Sequence, residues 1–139
     1  MAYPPLVRYS TQQEYRRHYE RMYCQQSITT FDGILVIFRK KQFDHCFFES
    51  SSRDGKKDLF SQKRAERIDW IKAALLDPHG ELYVGWDRKR KRYDKRRRVT
   101  IVMREYVVVI RLKGLKTADF VTAYVADIPG TIRTGFDSG

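Results

Sequence analysis

The second half of the chain contains three apolar runs rich in β-branched residues, and these runs constrain the fold more than any other feature. They span residues 99–103, 106–112 and 120–125, with short turn-forming segments between them. β-Branched and aromatic residues favour extended backbone, and the middle run is apolar enough for a central strand of a sheet. Together with an alternating segment over residues 82–86, they predict an antiparallel run of strands.

Two segments of the first half have helical periodicity. The first helix is predicted over about 12–26, where Thr11 and Glu14 form a capping box at its start. The second is predicted over about 61–76, where apolar residues recur at positions i, i+3 and i+7 behind a Ser61 cap.

Residues 34–38 predict a short buried strand, whereas the periodicity of residues 43–48 fits a strand or a short helix equally well. This order predicts an α+β fold, with N-terminal helices packed on one face of a curled antiparallel β-sheet. We divide the chain into an N-terminal arm and helix (1–30), an α+β domain (31–128) and a flexible tail (129–139).

Length and composition exclude several classes of protein. A chain of 139 residues with 42% hydrophobic content can build a core, so it is not a disordered protein. Cys24 and Cys46 are too few for a disulfide-dense scaffold, and the reduced form is expected. The longest apolar run, residues 33–38, is far shorter than the roughly 20 residues of a membrane helix. Residues 1–5 contain no apolar core, so a signal peptide is not expected. We expect a cytoplasmic protein with no membrane partner.

The net charge of +11 is concentrated in residues 87–98, which hold nine Lys or Arg residues against two Asp. A solvated surface is the simpler interpretation, but nine neighbouring cations repel one another unless a polyanion neutralises them. Tyr93 and Trp86 also place aromatic rings among the charges, where unpaired bases could stack. We therefore predict contact with nucleic acid, RNA rather than DNA. The predicted substrate-binding residues are Lys56, Lys57, Arg67, Arg88, Lys89, Arg90, Arg92, Tyr93, Arg96, Arg97 and Arg98.

Four residues supply the groups that metal-free RNA cleavage requires. Such cleavage needs a general base and acid around the attacking 2′-hydroxyl, and cations beside the phosphorane. His45 is suited to proton transfer near neutral pH, and Arg64 to charge stabilisation. Thr122 and Tyr124 leave the same side of the predicted last strand, where their hydroxyls could orient a phosphate. Each of the four also has a purely structural explanation, as a packed or flanking side chain.

Three segments resemble the barnase–EndoU–colicin–RelE-like nucleases, especially small members from prophages and mobile elements. They lie within residues 34–127 and are His45-Cys46-Phe47-Phe48, the helix 64–71 that leads to Leu75-Leu76-Asp77-Pro78, and Phe120-Val121-Thr122-Ala123-Tyr124. The resemblance implies a toxin-like, metal-independent endoribonuclease without a cofactor, with helices on a curled antiparallel sheet. It also implies an antitoxin or immunity protein as a partner.

By position, the resemblance assigns His45 as the general acid or base and Arg64 as the phosphate stabiliser. It assigns Thr122 and Tyr124 as the hydroxyls that orient the phosphate. Some relatives place a second His or a Glu at the site, and the sequence does not identify its equivalent here. A non-catalytic nucleic-acid-binding protein, such as a regulator of a mobile element, is therefore the alternative.

Two weaker alternatives remain. Asp77 and the triplet Asp87-Arg88-Lys89 loosely match a metal-dependent nuclease pattern, but both aspartates lie in turn-like contexts, so no metal is expected. The first helix carries Tyr15, Tyr19 and Tyr23 on one side. If that helix were undocked from the rest of the protein, these rings would favour an interaction module that binds a partner protein.

Overall fold

The computed structural model describes residues 3–50, 58–87, 89–126 and 136–137. The protein has the predicted α+β fold. Its helices are α1 (Gln12–Tyr19), which continues as a π-helical turn over Glu20–Cys24, α2 (Gln42–Phe47), α3 (Gln62–Ala65) and α4 (Ile68–Leu76). Its strands are β1 (Ile28–Thr29), β2 (Leu35–Ile37), β3 (Phe48–Glu49), β4 (Leu59–Phe60), β5 (Glu81–Asp87), β6 (Arg92–Val102), β7 (Tyr106–Leu112), β8 (Thr117–Val125) and β9 (Phe136–Asp137).

The main sheet has the strand order β1-β2-β8-β7-β6-β5-β9, and β3 pairs with β4 in a separate small sheet. Strands β5 to β8 are consecutive antiparallel neighbours, as the sequence predicts. The sheet as a whole is mixed rather than purely antiparallel, because β2 pairs with β8 and β9 pairs with β5 in parallel orientation. These two strands are separated in sequence from the partners beside which they lie, so local pattern does not reveal their direction.

The predicted first helix is confirmed, and its tyrosines belong to the protein's own core. The Thr11 side chain accepts a hydrogen bond from the Glu14 amide, which caps α1. Tyr15, Tyr19 and Tyr23 are all at most 1% exposed. The hypothesis that these rings bind a partner protein is therefore wrong, since no ring surface is left for a partner.

The predicted helix over 61–76 is divided into α3 and α4. Arg67 separates them, with φ −98° and ψ 20°, outside the helical region. The carbonyl of Glu66, next to this break, accepts a hydrogen bond of 2.8 Å from the Val7 amide in the N-terminal arm. The N-terminal arm thus binds a backbone carbonyl at the helix break. The apolar periodicity of residues 61–76 does not reveal this break.

The helices pack on one face of the sheet. On β7, Tyr106, Val108 and Ile110 point into the same core as the helices, whereas Val107 and Val109 point to the opposite face. This alternation follows from the period of two along a strand. The core on the helix side draws residues from both the 1–30 and the 31–128 segments, so both contribute to one hydrophobic core.

A β-bulge at Val121 changes which residues of β8 share a face. Thr122 pairs with Val109 but Phe120 pairs with Ile110, so one residue of β8 has no partner on β7. Phe120 therefore lies in the core on the helix side, while Thr122 follows Val109 to the opposite face. Strict alternation along the strand predicts that Phe120 and Thr122 share one side with Tyr124, and this is wrong for Phe120 because the bulge adds a residue between them.

The ambiguous segment 43–48 is resolved as helix α2 followed directly by β3.

The predicted binding residues Lys56, Lys57 and Arg88 lie outside the described residues. So does most of the predicted tail, of which Phe136–Asp137 pairs with β5. Across the described ranges, no helix has the length and apolar character needed to cross a membrane.

Candidate functional site

Helix α2 lies against the edge of β8, beyond the point where β2 stops pairing with that edge. The Gln42 side-chain amide donates to the Val121 carbonyl at 2.7 Å, and the Cys46 thiol contacts the Ala123 carbonyl at 3.4 Å. The helix thereby occupies strand acceptors that would otherwise remain open. His45 is half-buried on this helix, adjacent in sequence to Cys46 and hence at the same edge of the sheet.

Arg64 reaches the same edge from α3. Its Nη1 donates to the Cys46 carbonyl at the end of α2, at 3.2 Å. Its guanidinium carbon lies 5.7 Å from the centre of the Tyr124 ring, within the range of a cation–π interaction. The structure therefore brings together Arg64, Tyr124 and the helix that carries His45, three elements that are distant in sequence.

Thr122 and Tyr124 lie on the same face of β8, opposite the helices. Tyr124 pairs with Val107, as Thr122 does with Val109, and both valines point to that face. Tyr124 is half-buried, but Thr122 is only 4% exposed. A hydroxyl this deeply buried is suited to fixing the strand beneath Tyr124 rather than to touching a phosphate directly.

Glu49 is a candidate site residue that the sequence reasoning missed. It ends β3, directly after α2, and its Oε1 lies 3.2 Å from Arg64 Nε. Its side chain is 45% exposed, so the carboxylate is accessible to a ligand. The only sequence signal was its position four residues after His45, within a segment whose secondary structure the periodicity left open.

Arg67, which the sequence also assigned to substrate binding, has a different environment. Its Nη1 donates to the Lys63 carbonyl at 2.7 Å and contacts Glu66 Oε1 at 3.1 Å. Its guanidinium carbon lies 5.4 Å from the Trp70 ring. These contacts place Arg67 beside α4 and hold the side chain where the helix breaks.

The described residues of the basic segment, 87 and 89–98, belong to the hairpin of β5 and β6, and a hairpin is one of the two structures that the sequence allowed. Asp87 pairs with Arg92 and Trp86 with Tyr93 across the strands. The Asp87 carboxylate accepts hydrogen bonds from the Lys89 and Arg90 amides in the turn. The hydrogen bond from the Arg90 amide is the main reason that the pKa of Asp87 is lowered. The turn thus orders the tip that presents the basic side chains.

The cations of this hairpin differ in how far carboxylates engage them. Lys89, Arg90 and Arg92 near the turn are exposed. Arg90 and Arg96 lie 3.9 and 3.5 Å from the carboxylates of Asp87 and Asp94, and both side chains remain 54% exposed. Arg98 instead makes two hydrogen bonds to Asp32, of 2.6 and 3.0 Å, and its side chain is only 12% exposed. The cations near the turn are therefore more available to phosphates than Arg98.

Aromatic side chains accompany these cations. The rings of Trp86 and Tyr93 pack edge to face with centres 5.0 Å apart, and Tyr93 is 50% exposed. This places a partly exposed aromatic ring beside the exposed cations, as the sequence predicts.

The two aspartates of the loose metal-site pattern are both engaged in turns. Asp77 accepts hydrogen bonds of 2.8 Å from the His79 amide and from the Tyr3 hydroxyl. Burial works against ionisation of Asp77, but these hydrogen bonds outweigh it and hold its pKa below the usual value. Within the described ranges, no group of three or more His, Cys, Asp or Glu side chains is arranged to bind a metal ion.

No known protein family, curated protein or solved structure matches this chain.

Proposed function

We propose that this protein is a metal-independent endoribonuclease that cleaves RNA through the substrate's own 2′-hydroxyl. The contact between Arg64 and Tyr124 carries the proposal. It unites two residues, distant in sequence, that the resemblance to the barnase–EndoU–colicin–RelE-like nucleases assigned to the same phosphate. The basic hairpin supports the proposal, because an RNA strand requires phosphate contacts beyond the cleaved bond.

In the proposed reaction, a base removes the proton of the 2′-hydroxyl and the oxygen attacks the adjacent phosphorus. The bond from phosphorus to the 5′-oxygen breaks, the leaving oxygen takes a proton from an acid, and a 2′,3′-cyclic phosphate remains. We assign the two proton transfers to His45, in the last turn of α2, and to Glu49, two residues after that helix ends. Cleavage of this kind needs both a base and an acid, and the sequence alone identified only His45 for these roles. Glu49 supplies the second group.

Arg64 stabilises the charge of the phosphorane. A guanidinium has five N–H donors, and the contacts with Cys46 and Glu49 hold it at a fixed orientation. The remaining donors are then directed at the phosphate without further ordering, which is the condition for strong electrostatic stabilisation. Tyr124 supplies the hydroxyl that orients the phosphate, and Thr122 fixes its strand.

The test is RNA cleavage in excess chelator, comparing the parent protein with His45→Ala. His79→Ala is the matched control, because His79 is an exposed histidine in a turn. We expect cyclic-phosphate products from the parent and from the control, and loss of cleavage in His45→Ala. Equal cleavage by all three proteins, or no cleavage of several RNA types by the parent, contradicts the assignment.

A second candidate function is RNA binding without cleavage, and one observation favours it. The aromatic pair and the exposed cations of the hairpin form a surface for single-stranded RNA that does not depend on the His45 site. The same experiment separates the two functions, because a binding protein retains the RNA without cutting it.

An antitoxin or immunity partner and a cytoplasmic location belong to the endoribonuclease proposal, since such an enzyme requires an inhibitor in its own cell.

A further inference from the structure

A cleft of about 310 Å³ opens where β2 separates from β8. β2 pairs with β8 only as far as Ile37, opposite Asp119. Helix α2 covers the same strand edge from Val121 onward, through its Gln42 side chain. The cleft lies between the end of β2 and the start of α2 along this strand edge. Its lining residues are Arg39, Lys41, Gln42, Arg111, Asp119, Phe120 and Val121.

The cleft is positively charged, because three cationic side chains line it against one carboxylate. That carboxylate, Asp119, is already engaged by Arg39 Nη1 and by Lys113 Nζ, the latter at 3.5 Å. Arg39 is therefore held in place by an ion pair. Lys41 is exposed and Arg111 half-buried at the cleft, so these two supply the charge that a bound anion would meet.

Arg111 lies among charged residues of both signs. On β7 it lies directly opposite Arg97 of β6 on one side and opposite Asp119 of β8 on the other. Like charges directly opposite each other across two strands are destabilising. Carboxylates of the protein offset part of this repulsion, because Asp119 lies opposite Arg111 and Asp94 is close enough to interact with it electrostatically. An anion bound beside Arg111 would reduce the repulsion further.

The cleft lies on the same face of the sheet as Tyr124. Arg111 and Val109 are two positions apart on β7, and Val109 shares its face with Thr122 and Tyr124. Val121 of the cleft lies three positions before Tyr124 on β8, which corresponds to about 10 Å of extended chain. A single RNA strand could reach both places with neighbouring phosphates.

We propose that this cleft binds a backbone phosphate of RNA adjacent to the one that is cleaved, with Lys41 and Arg111 as its ligands. The identity of the anion as an RNA phosphate rests on the proposed function, whereas anion binding by the cleft does not. Arg39 and Asp119 act as positioning residues. Their ion pair fixes Arg39 at the cleft and offsets the negative charge of Asp119, which would otherwise repel an anion.

The first test uses inorganic phosphate and the whole chain. Backbone amide shifts of residues 39–42 and 119–121 are followed by NMR during a phosphate titration. We expect saturable shifts in the parent protein, and a dissociation constant at least about tenfold higher in the double variant Lys41→Gln/Arg111→Gln. Lys40→Gln/Lys116→Gln is the matched control, because it removes the same charge from exposed residues outside the cleft. Unchanged phosphate binding in the cleft variant overturns the proposal.

The second test uses a single-stranded RNA that is 2′-O-methylated and cannot be cleaved. The dependence of its affinity on salt concentration should weaken by about 0.7 in log–log slope when one phosphate contact is lost. We expect this change in Lys41→Gln/Arg111→Gln and not in Lys40→Gln/Lys116→Gln. An unchanged slope in the cleft variant contradicts the assignment to RNA. If the parent binds phosphate but no RNA, the proposed function fails while the anion site stands.

Discussion

The guanidinium carbon of Arg64 lies 5.7 Å from the centre of the Tyr124 ring, although the two residues come from a short helix and from the last long strand. The contact exists because α2 and α3 pack at the edge of β8 instead of deep on the sheet face. Arg64 approaches from the helix side and meets a tyrosine that belongs to the opposite face. His45 and Glu49 lie at the same edge of the sheet.

The first prediction concerns Arg64. Arg64→Gln should lower the rate of RNA cleavage by about 100-fold or more, because it removes a preorganised donor from the charged phosphorane. The rate is measured with enzyme in excess over a labelled RNA, so that product release does not affect it. Circular dichroism and thermal melting check that the variant is folded.

Arg8→Gln is the control for Arg64→Gln, since it removes an arginine whose side chain is 74% exposed. Its cleavage rate should equal that of the parent protein. A folded Arg64→Gln variant that cleaves within threefold of the parent rate contradicts the role given to Arg64.

Much of the fold follows from local pattern. The predicted bounds of β7, 106–112, are those of the structure, because a long β-branched run determines its own conformation. The capping box located the start of α1, since Thr11 and Glu14 satisfy each other within one turn. The charge run located the hairpin that carries most of the predicted binding residues.

The rest depends on contacts between segments that are distant in sequence. The bulge at Val121 is visible only in the pairing of β8 with β7. The proximity of Glu49 to Arg64 depends on how α2 and α3 pack. Likewise, the sequence does not distinguish Arg98 from the neighbouring cations, whereas in the structure it is paired with Asp32. Contacts between segments that are distant in sequence cannot be inferred from the local pattern of a single sequence. The sequence could therefore suggest site residues but not their geometry.

The second prediction concerns the hairpin tip. Lys89→Gln/Arg90→Gln/Arg92→Gln should weaken the salt dependence of RNA binding by about 2 in log–log slope, because three phosphate contacts are lost. The measurement is affinity for 2′-O-methylated single-stranded RNA at several salt concentrations. The control, Arg17→Gln/Arg21→Gln/Lys116→Gln, removes the same charge from exposed residues elsewhere. Equal slopes for the two variants would show that net charge, rather than the hairpin, governs binding.

The third prediction concerns pH and the Asp32–Arg98 pair. The hydrogen bonds from Arg98 are the main reason that the pKa of Asp32 is lowered. A lowered pKa means that the pair stabilises the fold above the ordinary aspartate pKa of about 3.9, and that this stability is lost as the pH falls through the folded-state value.

The Asp32 side chain is 37% exposed, so solvent screens the pair, and Asp32→Asn should lower the free energy of unfolding by only about 0.5 kcal/mol at pH 7. The difference from the parent protein should shrink as the pH is lowered below about 4. Urea unfolding at pH 7 and pH 3 measures both values, and Glu105→Gln, which alters an exposed carboxylate in the β6–β7 turn, is the control. A difference that stays constant over this pH range would show that ionisation of Asp32 contributes nothing.

The fourth prediction concerns Gly80, which precedes β5. A β-carbon at this position would lie 2.9 Å from Cγ2 of Thr100 and 3.4 Å from Cγ1 of Val102. Both neighbours are buried, β-branched residues of β6, so neither can move aside without disturbing the sheet. Gly80→Ala should lower the free energy of unfolding by about 1–3 kcal/mol, which is the usual cost of overpacking.

Gly114→Ala is the matched comparison, because its β-carbon would meet only Thr117 Oγ1, at an ordinary 3.5 Å. There the lower conformational entropy of the unfolded chain should leave stability unchanged or slightly increased. Urea denaturation of the two variants separates local crowding from the general effect of replacing glycine. If both variants lose the same stability, crowding against Thr100 is not the cause, and the close approach of Gly80 to β6 has no energetic consequence.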